Sequence, residues 1–297
     1  MSLIQINSHC YYYNSTVNIG YITDGTTGLL IDTGIDTSSV KKVERELHRQ
    51  QLPLTHLFIT HAHADHYGGA AYLQKNYNIH TIAPEFEAAI LQNPKLEPLY
   101  LFAGNDPLPE LQNKFLQGAA MQVDTEVQQG ELKAGTLRLR AIAAPGHSYH
   151  QLCILAYDIL FAADAYFSSD QLSKHKIPYI TDAEAAIQSL KMLQDIDCKG
   201  ALPGHGVYEE DFQATVQDNI DYHEKLLVWL DRYIDQPVTH ESIVASMCEA
   251  YKVNAPHLSQ WLLYRTAVSA YLVGLIKRKK ITHQVSDFKW TFYPAGS

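Results

Sequence analysis

Short apolar and β-branched stretches alternate with amphipathic stretches over the first two thirds of the chain. The segments 17–22 and 29–31 have the pattern of strands, and apolar residues repeat on one face of a predicted helix at 37–50. The other predicted strands are 54–60, 79–83, 131–132, 137–143, 151–156, 159–162 and 200–202, and the other predicted helices are 65–76 and 183–193. Strands interleaved with helices predict an α/β layered domain.

The segment 85–130 differs from the rest of this region. It mixes short helical pieces with four prolines, at positions 94, 98, 107 and 109, and it shows no clean strand. We therefore expect an insertion over one edge of the domain. Its apolar run at 99–102 predicts one wall of a substrate pocket, and the alternative is a satellite core under a surface loop.

From about residue 211 the chain becomes mostly helical. Apolar residues repeat every three or four positions, and Pro237 ends the first helical stretch. The predicted elements are helices at 212–234, 240–251 and 256–275, and hairpin strands at 280–284 and 288–293. We therefore divide the chain into a catalytic domain at 1–210 and a small helical, winged-helix-like module at 211–297.

Composition and charge narrow the classes of function. The chain has 297 residues, 46% hydrophobic and 19% charged, which is typical of a globular protein and excludes wholesale disorder. Residues 1–210 carry 14 basic and 23 acidic side chains, whereas 211–297 carry nine of each. An acidic balance repels phosphate backbones, so we expect a small-molecule substrate and no nucleic acid, although 277–280 is a basic run.

Three observations bear on the compartment. No apolar run approaches the ~18 residues of a membrane span. The first 13 residues lack the basic start and apolar core of a secretory signal. The four cysteines lie far apart, which is not the pattern of a disulfide framework. We therefore expect a cytoplasmic protein that does not associate with membranes.

The strongest chemical signal is the segment Thr60-His61-Ala62-His63-Ala64-Asp65-His66, directly after a predicted strand. Imidazole and carboxylate are ligands that suit zinc and its first-row neighbours. In an extended segment His61 and His63 point to one side, while Asp65 and His66 enter the next helix. One short segment can then serve two adjacent metal positions. The alternative is a solvent-facing, histidine-rich loop.

Three further ligand-type residues follow predicted strands. His147 comes after Pro145-Gly146, Asp164 comes after the strand at 159–162, and His205 lies in Pro203-Gly204-His205-Gly206. Taken alone, each of these residues is more typical of a structural role than of a metal ligand. Ends of neighbouring strands converge in space, however, and a site for two metals needs six or seven ligands. Joined to the first cluster, these residues are the natural partners.

These pieces resemble the metallo-β-lactamase superfamily, specifically its di-metal hydrolase branch. The matching pieces, in the order typical of the family, are Leu30-Ile31-Asp32-Thr33-Gly34, the cluster from His61 to His66, Pro145-Gly146-His147-Ser148, Asp164 and Pro203-Gly204-His205-Gly206. The resemblance implies an αββα sandwich with the metals at one edge, between the two sheets. The helical tail resembles the winged-helix tail of some members, including thioesterase-like hydrolases and an endoribonuclease-like group.

The resemblance also implies a role for each residue. It assigns His61, His63 and His147 to one metal, Asp65, His66 and His205 to a second metal, and Asp164 to a bridging position. Asp32 would support a ligand histidine, and a turn-capping role is the alternative. We expect two divalent ions, with zinc first and manganese or iron as alternatives.

The sequence departs from the family pattern near two ligands. Ala163 precedes the bridging aspartate, where the family often has glycine. After His147 the chain reads Ser148-Tyr149-His150-Gln151, where the family often continues with Pro-Gly. These departures alter the rim of the pocket and leave the ligands intact. We expect a structural or rim role for His150.

The resemblance implies that a hydroxide held between the two metals is the nucleophile, with Asp65 as the catalytic residue that orients it. We expect a hydrolase of a small ester-like substrate, a thioester or a lactone. One alternative is a metal-dependent phosphodiesterase or nuclease whose C-terminal module binds RNA or DNA. Another is a DNA-binding regulator that only retains the fold, although such a protein has no need of seven ligands.

The sequence also bears on two narrower activities and on the role of the tail. A glyoxalase-type enzyme stays open, although the sequence shows no basic cluster for the carboxylates of glutathione. An antibiotic-degrading lactamase normally works outside the cytoplasm, so we do not expect one. We expect the tail to close the site or to form a homodimer, and not to grip nucleic acid.

Overall fold

Two β-sheets form the centre of the protein. The computed structural model describes residues 2–296. The first sheet contains, in spatial order, β1 (Leu3–Gln5), β2 (Cys10–Tyr13), β3 (Ile19–Thr23), β4 (Gly28–Ile31), β5 (His56–Phe58), β6 (His80–Pro84) and β7 (Thr125–Val127). Strands β1 to β4 pair antiparallel, and β4 to β7 pair parallel.

The second sheet has five strands. They are β8 (Gly130–Ala134), β9 (Leu137–Ala143), β10 (Leu152–Ala156), β11 (Ile159–Ala163) and β12 (Gly200–Pro203), in the order β12-β11-β10-β9-β8. Only the pair of β11 and β12 is parallel within these five strands. Since β9, β11 and β12 all run in one direction, their carboxyl ends lie at the same edge of the sheet.

Helices cover the outer face of each sheet. The helices before residue 200 are α1 (Thr37–Arg49), α2 (Ala64–Tyr67), α3 (Ala70–Asn76), α4 (Glu85–Gln92), α5 (Leu96–Leu101), α6 (Ser169–His175) and α7 (Ala183–Gln194), with a 3-10 turn at Pro109–Leu111. On β4 the buried residues alternate: Ile31 packs between the sheets, and Leu30 packs outward on α1. On β11, Phe161 likewise packs between the sheets, and Leu160 packs outward on α7. The predicted αββα sandwich is confirmed.

Three elements differ from the sequence expectation. The segment 85–130 was expected to contain no strand, and this is wrong at its end, because Thr125–Val127 pairs parallel with β6. This edge strand has only three residues and exposes Glu126, so no hydrophobic pattern marks it. The helix expected at 65–76 is broken at Gly68, where a Cβ atom would lie 2.0 Å from the backbone oxygen of Ile35. Helix α6 was not predicted.

The C-terminal part consists of three helices and a small sheet. It contains α8 (Phe212–Tyr233), β13 (Val238–Thr239), α9 (His240–Ala250), α10 (Leu258–Lys277), β14 (Ile281–Ser286) and β15 (Lys289–Pro294), with the strand order β13-β15-β14. The winged-helix designation and the boundary near residue 210 stay predictions. Among residues 2–296, no helix has the length and hydropathy to cross a membrane.

The C-terminal helices pack directly on the sandwich. Phe212 and Val216 of α8 belong to the core on the outer face of the second sheet. Leu262 of α10 packs with Leu101 and Leu116 of the segment 85–130. The guanidinium of Arg278 contacts Glu184 at 2.6 Å and binds both carboxylate oxygens of Glu224 at 2.6 and 2.8 Å. These contacts hold the C-terminal part against the second sheet and the segment 85–130.

Candidate metal centre

All seven residues expected as ligands come together at one edge of the sandwich. Each follows the carboxyl end of a strand, or enters the helix after it, on β5, β9, β11 or β12. The side chains form three groups whose ligand atoms lie within 4.8 Å of one another: His61, His63 and His147; His61, His66 and Asp164; Asp65, His66 and His205. The structure thus places the residues as expected, and their role as metal ligands stays a prediction.

The first group is an imidazole triad. Nδ1 of His63 lies 3.0 Å from Nε2 of His61 and 2.9 Å from Nε2 of His147. Nitrogens that bind one tetrahedral zinc at about 2.0–2.1 Å would lie roughly 3.3 Å apart, so the triad has nearly the required spacing. Burial lowers the pKa of His63 to about 4 and that of His147 to about 3. The rings are therefore neutral near pH 7, which is the form that binds metal.

The group of Asp65, His66 and His205 combines imidazoles with a carboxylate. Nε2 of His205 lies 3.5 Å from Oδ2 of Asp65. Burial lowers the pKa of His205, but Asp164 and Asp65 outweigh burial and raise it to about 10. Burial raises the pKa of Asp65, yet His66 and His205 hold it below its usual range. The protons on the imidazoles thus supply positive charge that balances the carboxylates. A divalent cation can supply the same positive charge.

Asp164 lies between the imidazole triad and the group of Asp65, His66 and His205. Its Oδ1 is 3.5 Å from Nε2 of His66, and its Oδ2 is 3.4 Å from Nε2 of both His147 and His205. His66 Nε2 and Asp164 Oδ1 are buried and have no hydrogen-bond partner. Buried polar atoms are rarely left unpaired, so these two atoms fit a site built for cations. The donor set of imidazole and carboxylate fits zinc and its neighbours.

The outward nitrogens of the ligand rings are anchored. Nδ1 of His147 lies 3.0 Å from the backbone oxygen of Tyr179, and Nδ1 of His205 lies 2.8 Å from that of Thr16. A carbonyl oxygen can only accept, so each Nδ1 must donate. Once a ring is neutral, its Nε2 then presents a lone pair toward the centre of the site.

Asp32 anchors the ring of His66 directly and that of His61 through Thr60. Its Oδ2 accepts from Nδ1 of His66 at 2.7 Å and from the Thr60 hydroxyl at 2.9 Å. Because that hydroxyl donates to Asp32, its oxygen is free to accept from Nδ1 of His61 at 3.0 Å. Asp32 therefore orients one ligand directly and a second through Thr60. Its backbone has a positive φ of 62°, a conformation that aspartate tolerates better than most residues.

Glu87 is a structural partner that the sequence analysis missed. This residue of α4 is 2% exposed, and its Oε2 accepts from the backbone N–H of Ala62 at 2.9 Å. Its Oε1 accepts from the Ser148 hydroxyl and from the backbone N–H of His150 at 2.9 Å. One carboxylate thus joins the segment between His61 and His63 to the segment after His147. The only signal for it in the sequence is the unusual Ser148.

The two departures from the family pattern have structural explanations. Ala163 has a positive φ of 48°, a conformation in which glycine is unstrained. His150 is exposed, and its ring stacks on Tyr149 with centroids 5.1 Å apart. Within residues 2–296 its ring forms no hydrogen bond or ion pair with the seven candidate ligands, and it lies 5.2 Å from the exposed ring of Phe86, which fits the expected rim role.

A cavity of about 470 Å³ opens over the site. His63, Asp65, His147, Asp164 and His205 all line it. Residues of the segment 85–130, among them Glu97 and Leu116, form part of its wall, and Leu263 of α10 closes another part. Burial, followed by the charges of Asp65 and Glu87, raises the pKa of Glu97 well above its usual value. Glu97 was not expected from the sequence.

Comparison with known proteins extends this picture. The family model of the metallo-beta-lactamase superfamily matches residues 13–205. An atrochrysone carboxyl ACP thioesterase from Aspergillus fumigatus is 27% identical over 202 residues, covering 68% of this chain and 54% of the relative. A hydroxyacylglutathione hydrolase from Nitrobacter winogradskyi is 31% identical over 157 residues, covering 52% of this chain and 49% of the relative. The chain therefore spans about half the length of these curated relatives.

The fold also matches a solved structure over its whole length. A beta-lactamase domain protein from Burkholderia ambifaria superposes with a TM-score of 0.75 at 16% identity, covering 99% of this chain and 93% of the other. At this identity the match shows the fold alone. It includes the C-terminal helices and the small sheet.

Proposed function

The chain belongs to the metallo-β-lactamase superfamily, and from this premise we propose that it is a metal-dependent hydrolase of thioesters. The observation that carries the proposal is the position of Asp164, whose Oδ2 lies 3.4 Å from Nε2 of both His147 and His205, two imidazoles that belong to different candidate metal positions. Two relatives with thioester-hydrolase names support the substrate class. A lactone is the second ester-like substrate that the same site fits.

The candidate ligands fit a pair of divalent ions, for which we propose zinc first. His61, His63 and His147 would hold one ion, Asp65, His66 and His205 would hold the other, and Asp164 would contact both. Bound divalent ions supply Lewis acidity toward a carbonyl oxygen and lower the pKa of water. The protein itself supplies orientation, because every anchored imidazole keeps its Nε2 toward the site.

Asp65 is the residue proposed to position the attacking water. Its side chain lines the cavity and is ionised, so its carboxylate can accept a hydrogen bond from that water. In the overall reaction, the water oxygen bonds to the carbonyl carbon and the C–S bond breaks. The products are a carboxylate, a thiol and one proton. A thiolate is a stable leaving group, because a thiol has a pKa of about 8.5.

Protein nucleophiles do not compete for this role. Burial raises the pKa of the Cys10 and Cys153 thiols to about 12, so both stay protonated. The hydroxyl of Ser148, next to His147, donates to Glu87, whose carboxylate also accepts from the backbone N–H groups of Ala62 and His150, and Ser148 does not line the cavity over the candidate ligands. Water is therefore the proposed nucleophile.

Charge on the tail supports a small-molecule substrate over nucleic acid. Two of the four cations at 277–280 are already engaged: Lys277 pairs with Asp182, and Arg278 pairs with Glu184 and Glu224. Phosphate binding needs several cations exposed on one face. These contacts fit a tail that docks on its own domain.

A substrate panel tests the proposal. The metal-loaded protein is assayed on a thioester, a lactone, a phosphodiester and a β-lactam. We expect the thioester to be turned over fastest, His63→Ala to abolish turnover, and His150→Ala to retain it, because His150 lies at the rim. Faster turnover of the phosphodiester, or full activity of His63→Ala, would refute the proposal.

A further inference from the structure

A second cavity meets the first at His63. It is an apolar groove of about 350 Å³ beside the first ligand group, and His63 lines both spaces. The groove is formed mainly by side chains of α4, α5 and the segment after His147, namely Phe86, Ile90, Leu96, Leu99, Tyr100 and Tyr149. A group bound at His63 can therefore extend in two directions.

Two polar side chains of this groove, Glu87 and Ser148, are already paired with other groups. Both carboxylate oxygens of Glu87 accept hydrogen bonds, and the Ser148 hydroxyl donates to Glu87. The aromatic rim is nevertheless open to solvent, since Phe86 is 48% exposed and Tyr149 is 63% exposed. Their rings lie against each other with centroids 4.9 Å apart. A contiguous exposed apolar surface next to a reactive centre is typical of a ligand-binding groove.

The first cavity is more polar, although apolar side chains such as Phe115 and Leu263 also line it. Ser15, Ser39, Lys42 and Lys114 line it together with the candidate ligands. Lys114 lies 3.1 Å from a carboxylate oxygen of Asp36. In the described part of the chain, no carboxylate lies within 4.0 Å of the Lys42 ammonium. This cavity therefore offers hydroxyl groups and positive charge, which suit a polar or anionic group.

We infer that the apolar groove receives the acyl chain of the substrate, and that the polar cavity receives its thiol arm. The inference rests on the proposed thioester hydrolysis, because a thioester carries two arms on either side of its carbonyl carbon. One arm is a hydrocarbon, and biological thiol carriers are polar and often anionic. With the carbonyl carbon beside His63, each arm meets a surface of matching chemistry. The substrate class is thus an acyl thioester with a medium-length or aromatic acyl group.

The acyl half is tested with thioesters of one neutral thiol, N-acetylcysteamine, with straight acyl chains from acetyl to decanoyl. In the wild-type protein we expect kcat/KM to rise roughly three- to four-fold per added methylene until the groove is full. Ala89 lies on the exposed side of α4 and lines the groove, so Ala89→Trp should shift the optimum to shorter chains. Ala120→Trp, at an exposed position outside both cavities, should keep the wild-type profile.

Binding gives a readout that does not depend on turnover. Isothermal titration with the product carboxylates, from butyrate to decanoate, should show tighter binding for longer chains to wild-type and Ala120→Trp proteins. In Ala89→Trp the gain should stop at a shorter chain. Equal affinities along the series in the wild-type protein would overturn the assignment of the groove.

The thiol half is tested by comparing the N-acetylcysteamine thioester with the coenzyme A thioester of the same acyl group. The anionic thiol arm should lower KM, Lys42→Ser should remove most of that gain, and Ala120→Trp should keep it. The same KM for both thiols in the wild-type protein would overturn this half.

The outcomes separate the inference from the proposed function. If no thioester is hydrolysed, the proposed function fails. If thioesters are hydrolysed at rates independent of chain length, and Ala89→Trp has the wild-type profile, the proposed function stands and the assignment of the groove is wrong.

Discussion

Oδ2 of Asp32 lies 2.7 Å from Nδ1 of His66, and the same oxygen accepts the hydroxyl hydrogen of Thr60 at 2.9 Å. Through these two contacts one buried carboxylate orients His66 directly and His61 by way of Thr60. One carboxylate therefore orients a candidate ligand of each of the two metal positions. A change at Asp32 should affect both.

Replacement of Asp32 by asparagine tests this link. The amide keeps the shape of the side chain, but its NH₂ group cannot accept a hydrogen bond, so the contacts with His66 and Thr60 cannot all be kept. We expect the metal affinity to fall about 10- to 100-fold, since outer partners of metal ligands have effects of this size. Competition with a chromogenic chelator measures it. Asp36→Asn, at the N-cap of α1, should keep the wild-type affinity because asparagine also caps helices.

Gly204→Ala tests the position of Asp164. A Cβ atom at residue 204 would lie 2.0 Å from Oδ1 of Asp164, so the carboxylate must move. We expect fewer bound metal ions and a loss of hydrolysis, with the helical content unchanged by circular dichroism. Gly274→Ala, inside α10, is the matched control, because its Cβ would meet Ala183 at a tolerable 3.2 Å. Normal metal content in Gly204→Ala would argue against a bridging Asp164.

Glu87→Gln tests the carboxylate that joins the two ligand segments. All three partners of Glu87 donate hydrogen bonds to it. The NH₂ group of a glutamine cannot accept, so at least one of these donors loses its partner. We expect the free energy of unfolding to fall by about 1–3 kcal/mol and the metal affinity to fall with it. Urea unfolding and the chelator assay measure the two effects. Glu85→Gln, exposed on the same helix, should change neither quantity, and an equal effect of both variants would contradict the assignment.

His223 predicts acid sensitivity in the C-terminal core. Burial lowers the pKa of this ring from 6.5 to about 4 in the folded protein, where Nδ1 lies 2.7 Å from the Tyr271 hydroxyl. Between these two values the unfolded chain binds more protons than the folded one, so stability falls as the pH falls from 6.5 to 4. The loss amounts to about 3 kcal/mol at pH 4 and below.

Urea unfolding of wild-type and His223→Gln proteins at pH 7 and pH 4.5 measures this loss. The variant cannot be protonated at that position, so its stability should fall less between the two pH values. His257→Gln, at an exposed position, should behave as the wild-type protein does. A parallel pH dependence of His223→Gln and wild type would contradict the prediction.

Local patterns in the sequence predicted the strands and the residues at their ends. The strand expected at 137–143 has those bounds in the structure, and the seven ligand-type residues converge because their strands share one edge. Features that depend on contacts distant in sequence were missed. Glu87 is an example, because its partners Ala62 and Ser148 are 25 and 61 positions away. The edge strand Thr125–Val127 was missed because it carries no apolar alternation.

The apolar run at 99–102, expected to form one wall of a substrate pocket, also depends on contacts distant in sequence. Tyr100 lines the apolar groove, whereas Phe102 packs with Leu101 and Leu262 against the C-terminal helix α10. The apolar run therefore divides between a cavity and a core, and only the docking of the tail decides which residue faces which. No pattern within the run carries that information.

The central claim is that Asp164 and its six partners hold two divalent ions. It is tested most directly by the metal content per chain, measured by inductively coupled plasma mass spectrometry on wild-type, Asp164→Asn and His150→Ala proteins purified in the same way. The account predicts close to two ions in the wild-type and His150→Ala proteins, and about one in Asp164→Asn, because a neutral amide bridges two cations poorly. Two tightly held ions in Asp164→Asn, or no bound transition metal in the wild-type protein after reconstitution, would contradict it.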